Sequence, residues 1–353
     1  MSSAIRHWTL RSRREQVALR LPVRGLVAVA LLILALFAVG CVSLATGSYG
    51  VALGEVIETL RGMSVSRAID NVVWEFRFPR TLAAALVGAM MALSGAALQN
   101  TTRNGLADPS LVGVSQGAAL AVVSLTVAFP DVSGAVRPWA AFAGAVLVAI
   151  AVQGLSHTRQ GGSAIRFILM GIGLSTFISS ITSALMTYGN IDRAMSALAW
   201  LAGSINAASW SDVWTLSIWC AVLLPALLAI SRSASATRMG EASAISLGVR
   251  VVSIRNLQLA IAVALAAIAT SVVGPLGFVG LIAPHAARRI APAGIGLNLI
   301  ITALTGALLV SLADLVGRAA FAPIQIPAGL LTALIGVPLF IVLMVRTRPA
   351  SPH

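Results

Sequence analysis

From Thr81 to Gln99 the chain carries no charged residue. A helix over that run is about 28 Å long, which matches one bilayer hydrocarbon core. Charged residues mark both of its ends: Arg77 and Arg80 precede it, and Arg103 and Asp108 follow it. Comparable apolar windows of about 20 residues recur along the chain. In lipid each must satisfy its own backbone N–H and C=O groups, so each is expected to be a helix. The short alternating segments of a membrane barrel are not seen in the sequence. The expected fold class is an all-α polytopic membrane protein of about ten transmembrane helices, over 25–45, 81–99, 111–129, 138–156, 164–188, 213–230, 256–273, 275–289, 295–316 and 326–345. The eighth is short and contains Pro284, and the region 190–212 is expected to hold a further short helix lying at the interface.

Charge narrows the chemistry. Of 353 residues 58% are hydrophobic and 10% charged, and the formal net charge is +13; an aqueous domain carries about 25% charged residues. All 24 basic side chains are arginine. A chain without lysine cannot build a Walker A loop or a Schiff base. No cofactor is therefore expected in this chain; if ATP drives it, ATP and Mg are bound by a partner ATPase. No Asp/Glu/His relay lies inside the spans, which counts against the alternative from a different class, an ion-gradient-driven secondary transporter. Neither a nucleophile–base pair nor a metal cluster stands out, so the chain is not expected to be an enzyme and no catalytic or metal site is assigned. Cys41 and Cys220 fall in separate spans and suggest no disulfide. Nothing in the sequence points to nucleic acid.

Ten spans put both termini on one membrane side. Placing them in the cytoplasm leaves seventeen arginines inside and seven outside, as the positive-inside rule requires. The expected organisation is a basic cytoplasmic segment at 1–24, a transmembrane domain at 25–346 and a cytoplasmic tail at 347–353. The first apolar run, Gly25 to Ala45, is long enough to be an uncleaved first helix rather than a signal peptide. On the outer side, residues 46–78 are long enough for a small folded excursion.

Three polar features remain. The largest inner loop, 231–255, contains a segment from Glu241 to Leu247 that reads as a short helix closed by Gly248 at its C-terminal end. It is either a docking surface for a motor or a solvated connection. Span five places Gly171, Ser175, Ser179, Thr182 and Ser183 near one helical face. Such a face either packs closely against another helix or lines a water-filled path. Asp314 and Arg318 are four residues apart near the outer end of span nine, where they either pair on one helix face or leave Arg318 for a partner. His285, alone after Pro284, reads as structural.

At several of these places the chain resembles the permease subunit of ABC importers for iron–siderophore complexes, haem and vitamin B12. The resemblance rests on Arg77-Phe-Pro-Arg80-Thr-Leu-Ala, Ala92 to Gln99, Thr102-Arg-Asn-Gly-Leu-Ala-Asp-Pro109, Leu111 to Gly117, Ser183 to Thr187, Trp200 to Ser204, Glu241 to Gly248 and Gly274 to His285, in that order. It implies a fold similar to the vitamin B12 importer permease, in the bacterial cytoplasmic (inner) membrane. Its implied partners are cytoplasmic ABC ATPase subunits, an extracytoplasmic substrate-binding protein, a second permease subunit in a homo- or heterodimer, and membrane lipid. The implied function is ATP-driven translocation of a ferric siderophore by alternating access; the alternatives within the family are haem and cobalamin. By position, Arg77, Arg80 and Arg318 would meet acidic residues of the binding protein. Asn104, Gly105 and Leu106 would form the cytoplasmic gate, with Gly105 where the family usually has proline. Glu241, Leu247 and Gly248 would couple to the ATPase, and Ser175, Ser179 and Thr182 would line the path.

Overall fold

A computed structural model describes residues 7–11, 18–47, 50–63, 66–129, 132, 134–156, 164–237, 239–320 and 324–346. The tail at 347–353 and much of the basic segment at 1–24 lie outside the described residues. A short antiparallel ribbon comes first: β1 (His7–Arg11) pairs with β2 (Ala18–Pro22) in the register His7 with Pro22 and Thr9 with Arg20. The rest of the described chain is helix and turn.

After α1 (Val23–Ala45) comes the folded excursion expected within 46–78, built from α2 (Leu53–Leu60) and α3 (Arg67–Asn71). Val56, Ile69 and Val73 close over Leu44 and Val51 in a small apolar cluster of their own. A π-helical stretch, Val72–Arg77, then joins α3 to α4 (Phe78–Thr102) without a break, giving one apolar rod of 36 residues from Arg67 to Thr102. The expected start at Thr81 is therefore too late, and Arg77 and Arg80 lie within a helix rather than at its mouth. Pro79 lacks the N–H that an α-turn would use there, and the widened π-turns before it absorb the missing bond.

The remaining helices are α5 (Val114–Ala128), α6 (Arg137–Ser156), α7 (Ala164–Tyr188), α8 (Ile191–Leu201), α9 (Trp210–Ala229), α10 (Ser231–Thr237), α11 (Glu241–Ser246), α12 (Val251–Val273), α13 (Val279–Ile290), α14 (Ile295–Ala319) and α15 (Ala328–Arg346). Among the described residues, 7 helical segments are long and apolar enough to cross a bilayer: α1, the rod ending in α4, α6, α7, α9, α12 and α14. Of the other three expected spans, two are clearly shorter. α5 starts late because Pro109–Val112 winds as a 3-10 turn and Gly113, at φ 88°, redirects the chain. α13 has 12 residues because Gly274 and Phe278, at φ 79° and 66°, keep the approach to it out of helix. α15, at 19 residues, nearly matches its expected span. The expected interface helix is α8, whose first turn is capped by Asn190 Oδ1 accepting from the Asp192 amide at 2.9 Å.

The helices are not equivalent. Inside the chain 72% of the apolar window of α4 is buried, against 11% for α1 and 17% for α7. A helix that is apolar on every side belongs in a protein interior or in lipid. Here α4, α12 and α14 take the interior, while α1 and α7 keep broad apolar faces outward. Lipid tails are as apolar as leucine, so helices in a bilayer gain little from hiding leucine and gain instead from close packing. That is how α4 is held. A Cβ on Gly88 would run into the carbonyl of Gly306 in α14, and one on Gly306 into the carbonyl of Gly88. Gly95 meets Gly280 of α13 in the same way, and Gly117 of α5 meets Gly144 of α6.

Gly88→Ala should therefore lower stability by about 1–3 kcal/mol, because the obstacle is backbone and cannot swing away. Gly154→Ala and Gly173→Ala, where nothing lies within 4 Å of the added Cβ, should be neutral or gain about 0.5–1 kcal/mol. Thermal unfolding of the three variants in one detergent distinguishes the two classes.

Candidate functional site

Polar side chains gather at the two ends of α4 and along one face of α7. At the first end three arginines share a buried network. α1 finishes in this region with no basic residue in its last turn, so its terminal carbonyls and the negative end of its dipole need partners from elsewhere. Arg77 donates through Nη1 to the carbonyls of Leu44 at 2.7 Å and Ala45 at 3.1 Å. Arg318 donates to the carbonyls of Thr46 and Ser43, each at 2.9 Å, and to Ser43 Oγ at 2.6 Å. Gly47 leaves the space: its Cβ would lie 2.6 Å from Arg77 Nη2. Arg80 grips Asp314 of α14 through Nε and Nη2, at 3.0 and 2.8 Å. Its Nη1 reaches Asn206 Oδ1 at 2.7 Å and Gln325 Oε1 at 2.8 Å. This fork-to-carboxylate geometry is specific to arginine.

The structure places the three expected docking residues as follows. Arg77, Arg80 and Arg318 are brought together; they are only 5%, 7% and 4% exposed, and each donates hydrogen bonds within the chain, while Nε of Arg318 is buried without a partner. Asp314 and Arg318 do not form the pair that their four-residue spacing suggests. Asp314 hydrogen-bonds to Arg80 from the neighbouring helix, which offers two aligned N–H groups, while Arg318 turns to the end of α1.

At the opposite end α4 stops at Thr102 because Arg103 adopts φ 52° and ψ 27°. The expected gate residues follow as a tight turn: Asn104 Oδ1 accepts from the Leu106 amide at 3.0 Å and its carbonyl from the Ala107 amide at 3.1 Å. Gly105 is exposed, its φ lies outside the left-handed region, and nothing lies within 4 Å of a Cβ added there. Neither backbone strain nor crowding requires glycine.

Asp108 closes this loop. Its Oδ1 accepts from the Ser110 amide at 2.9 Å and from the Ser110 hydroxyl, capping the 3-10 turn. Its other oxygen lies over Gly280 in the first turn of α13, where a Cβ would sit 3.0 Å away. Burial pushes the Asp108 carboxyl above its ordinary pKa, opposed by its hydrogen bonds from Ser110. Gln99 extends the same contact. Its Nε2 donates to the Gly280 carbonyl at 3.1 Å, and its Oε1 accepts from Arg288 at 2.9 Å, so α4 is tied to both ends of α13. Gln99 and Arg288 were not singled out for this role from sequence; the signal was a glutamine closing an otherwise apolar run.

Beside this loop lies α11. The Gly248 amide donates to the Ile245 carbonyl at 2.9 Å and the Val249 amide to the Ala244 carbonyl at 3.0 Å, the paired bonds of a Schellman cap, with Gly248 at φ 78°. Ala244 is fully buried and anchors the helix, while Glu241, Ile245 and Leu247 face outward. The third predicted set divides. Ser179 and Thr182 border a concavity with Ser115, Gln116 and Pro275. Ser175 instead packs toward Gly113, with its Oγ 3.0 Å from where a Gly113 Cβ would be.

Comparison with known proteins adds an independent line. The model of the FecCD transport family matches residues 31–346. The Bacillus subtilis protein YfhA, described as a probable siderophore transport system permease, is 39% identical over 300 residues, covering 83% of this chain and 87% of its own. The cobalamin import permease BtuC of Halobacterium salinarum is 39% identical over 282 residues, covering 79% and 75%. A solved inward-facing structure assigned to a metal-chelate type ABC transporter superposes with a TM-score of 0.78 at 29% identity, covering 90% of this chain and 98% of that one.

Arg80→Ala, which strands a buried carboxylate, should cost about 3–5 kcal/mol, and adding Asp314→Ala should restore part of it; a thermal-shift double-mutant cycle measures both. Gly105→Ala should leave the fold intact and raise stability by about 0.4–1 kcal/mol by restricting the unfolded chain, which the same assay reads.

Proposed function

The chain belongs to the FecCD transport family as the permease of an ABC importer, and we propose that it carries a ferric siderophore across a bacterial cytoplasmic membrane by alternating access. It is a transport subunit rather than an enzyme. The observation that carries the mechanism is α11: a six-residue helix, pinned by Ala244 and closed by Gly248, that turns Ile245 and Leu247 outward from a chain without a lysine for a Walker A loop. Such a helix suits a cytoplasmic ATPase that supplies the nucleotide chemistry. Glu241 and Leu247 would meet that partner, and Gly248 would fix the helix end. The turn Asn104–Leu106 would be the inner gate and the arginine end the outer face, with both termini cytoplasmic.

For docking of an extracytoplasmic binding protein, the burial of Arg77, Arg80 and Arg318 favours an indirect part. They hold the outer ends of α1, α4 and α14 in register, and the net positive charge of the cluster attracts an acidic partner. Ser179 and Thr182, with Gln116, give the path hydroxyl and amide groups without charge. This composition suits a bulky chelate held weakly, in a permease paired with a second copy or a sister subunit. The siderophore permease among the relatives supports the choice of cargo.

The test is reconstitution with the neighbouring ATPase and binding protein. ATP-dependent uptake of radioiron from a ferric siderophore is expected; uptake of radiolabelled cobalamin instead would reassign the cargo. Ile245→Asp combined with Leu247→Asp should weaken ATPase association by about 100-fold or more, the order expected when burial of two apolar side chains, about 1.5–3 kcal/mol each, is lost. Unchanged association in a pull-down titration would remove α11 from the interface.

A further inference from the structure

We propose that Arg103 is a positioning residue, a strut that transmits displacement of α11 to the turn Asn104–Leu106. The inference rests on reading α11 as the ATPase contact and that turn as the inner gate. Arg103 is one of two non-glycine residues with positive φ among the described residues, so the chain accepts a conformation that side chains with a Cβ disfavour. It does so at the last residue before the turn. From there its Nη2 donates to the carbonyl of Thr237 at 2.8 Å.

Thr237 ends α10, a helix with no basic residue in its last turn, so the guanidinium also supplies the positive group that a helix C-terminus favours. Three residues separate Thr237 from Glu241, the start of α11, and one of them is Gly240 at φ 108°. The strut therefore joins the first residue after α4 to the last residue before the α11 connection.

A second contact braces the other side. Thr101 Oγ1 donates to Gln258 Oε1 of α12 at 3.3 Å, so the end of α4 touches the helices on both flanks of α11. Arg103, Thr237 and Glu241 border one polar cleft. α11 is anchored at Ala244 and exposed elsewhere, so a pull on its outward face moves α10, and the Arg103–Thr237 bond carries that movement to Asn104. Glycine at 103 would relieve the strain on the backbone but remove the strut; lysine would keep a donor.

Two measurements test this. In the reconstituted complex with its ATPase, Arg103→Gly should keep ATPase binding and ATP hydrolysis while radioiron moved per ATP falls at least about tenfold; each tenfold is about 1.4 kcal/mol of lost coupling. The cargo is ferric citrate or a ferric hydroxamate, whichever the wild-type complex carries. Arg103→Lys should recover at least half of the coupling. Transport per ATP equal to wild type in Arg103→Gly, or loss of ATPase binding, overturns the proposal. The second measurement needs no transport: spin labels at Gly105→Cys and Ser246→Cys in a cysteine-free full-length background. Their distance distribution should be narrow with Arg103 or Lys and broad with Gly; an unchanged distribution overturns the strut. A wild-type complex with no ATP-dependent uptake would instead refute the proposed function and leave the spin-label result to judge Arg103.

Discussion

The approach of α4 to α14 at Gly88 and Gly306, backbone against backbone, is the contact on which the rest of the structure depends. A bilayer gives apolar helices no reason to leave lipid for one another, so the interior must be held by dispersion at close range and by polar groups that lipid cannot satisfy. The glycines provide the first. They let α4 sink between α14 and α13 until its apolar window is mostly enclosed by protein. The polar residues then fall at the ends of α4, where the helices leave contact and unpaired carbonyls and amides remain.

The two ends solve that problem with different chemistry. At one, arginines reach across helices to carbonyls and to a single carboxylate. Arg80 and Asp314 cross from α4 to α14, and Arg77 and Arg318 close the end of α1. The result is a tied bundle end, because each guanidinium spans more than one element and leaves a buried group unpaired if it moves. At the other end the ties are single hydrogen bonds: Gln99 links a carbonyl of α13 to Arg288, Arg103 reaches the Thr237 carbonyl, and Asn104 and Asp108 cap their own turns. Bonds of that kind exchange at lower cost than a buried ion pair.

What was legible in the sequence follows from how local each signal is. Hydropathy located the long apolar helices, since an uncharged run in lipid has one backbone solution, although the expected count of about ten was loose, and the turn chemistry of Gly248 marked the end of α11 correctly. Helix starts were less legible. Nothing in the composition of residues 67–80 announces that a π-helical stretch carries α3 into α4, because Pro79 reads as a helix start and the widened turn that accommodates it is not a sequence pattern. The small-residue face of α7 was visible, but not that Ser175 packs while Ser179 and Thr182 line a concavity.

The sequence by itself determined the class of the protein, the order and approximate span of its helices, the absence of a nucleotide-binding lysine, and the family resemblance that the comparisons support. The tertiary structure decided how its polar groups are partnered. Asp314 has Arg318 one turn away in sequence, yet it bonds to Arg80, 234 positions distant, because the glycine-mediated contact of α4 with α14 brings that guanidinium edge-on to both carboxylate oxygens. Arg318, displaced from that partner, finds the carbonyls of α1. A charge pattern states which partners a residue has within one helical turn; only packing decides which of them, or which stranger from another helix, it meets in the right orientation.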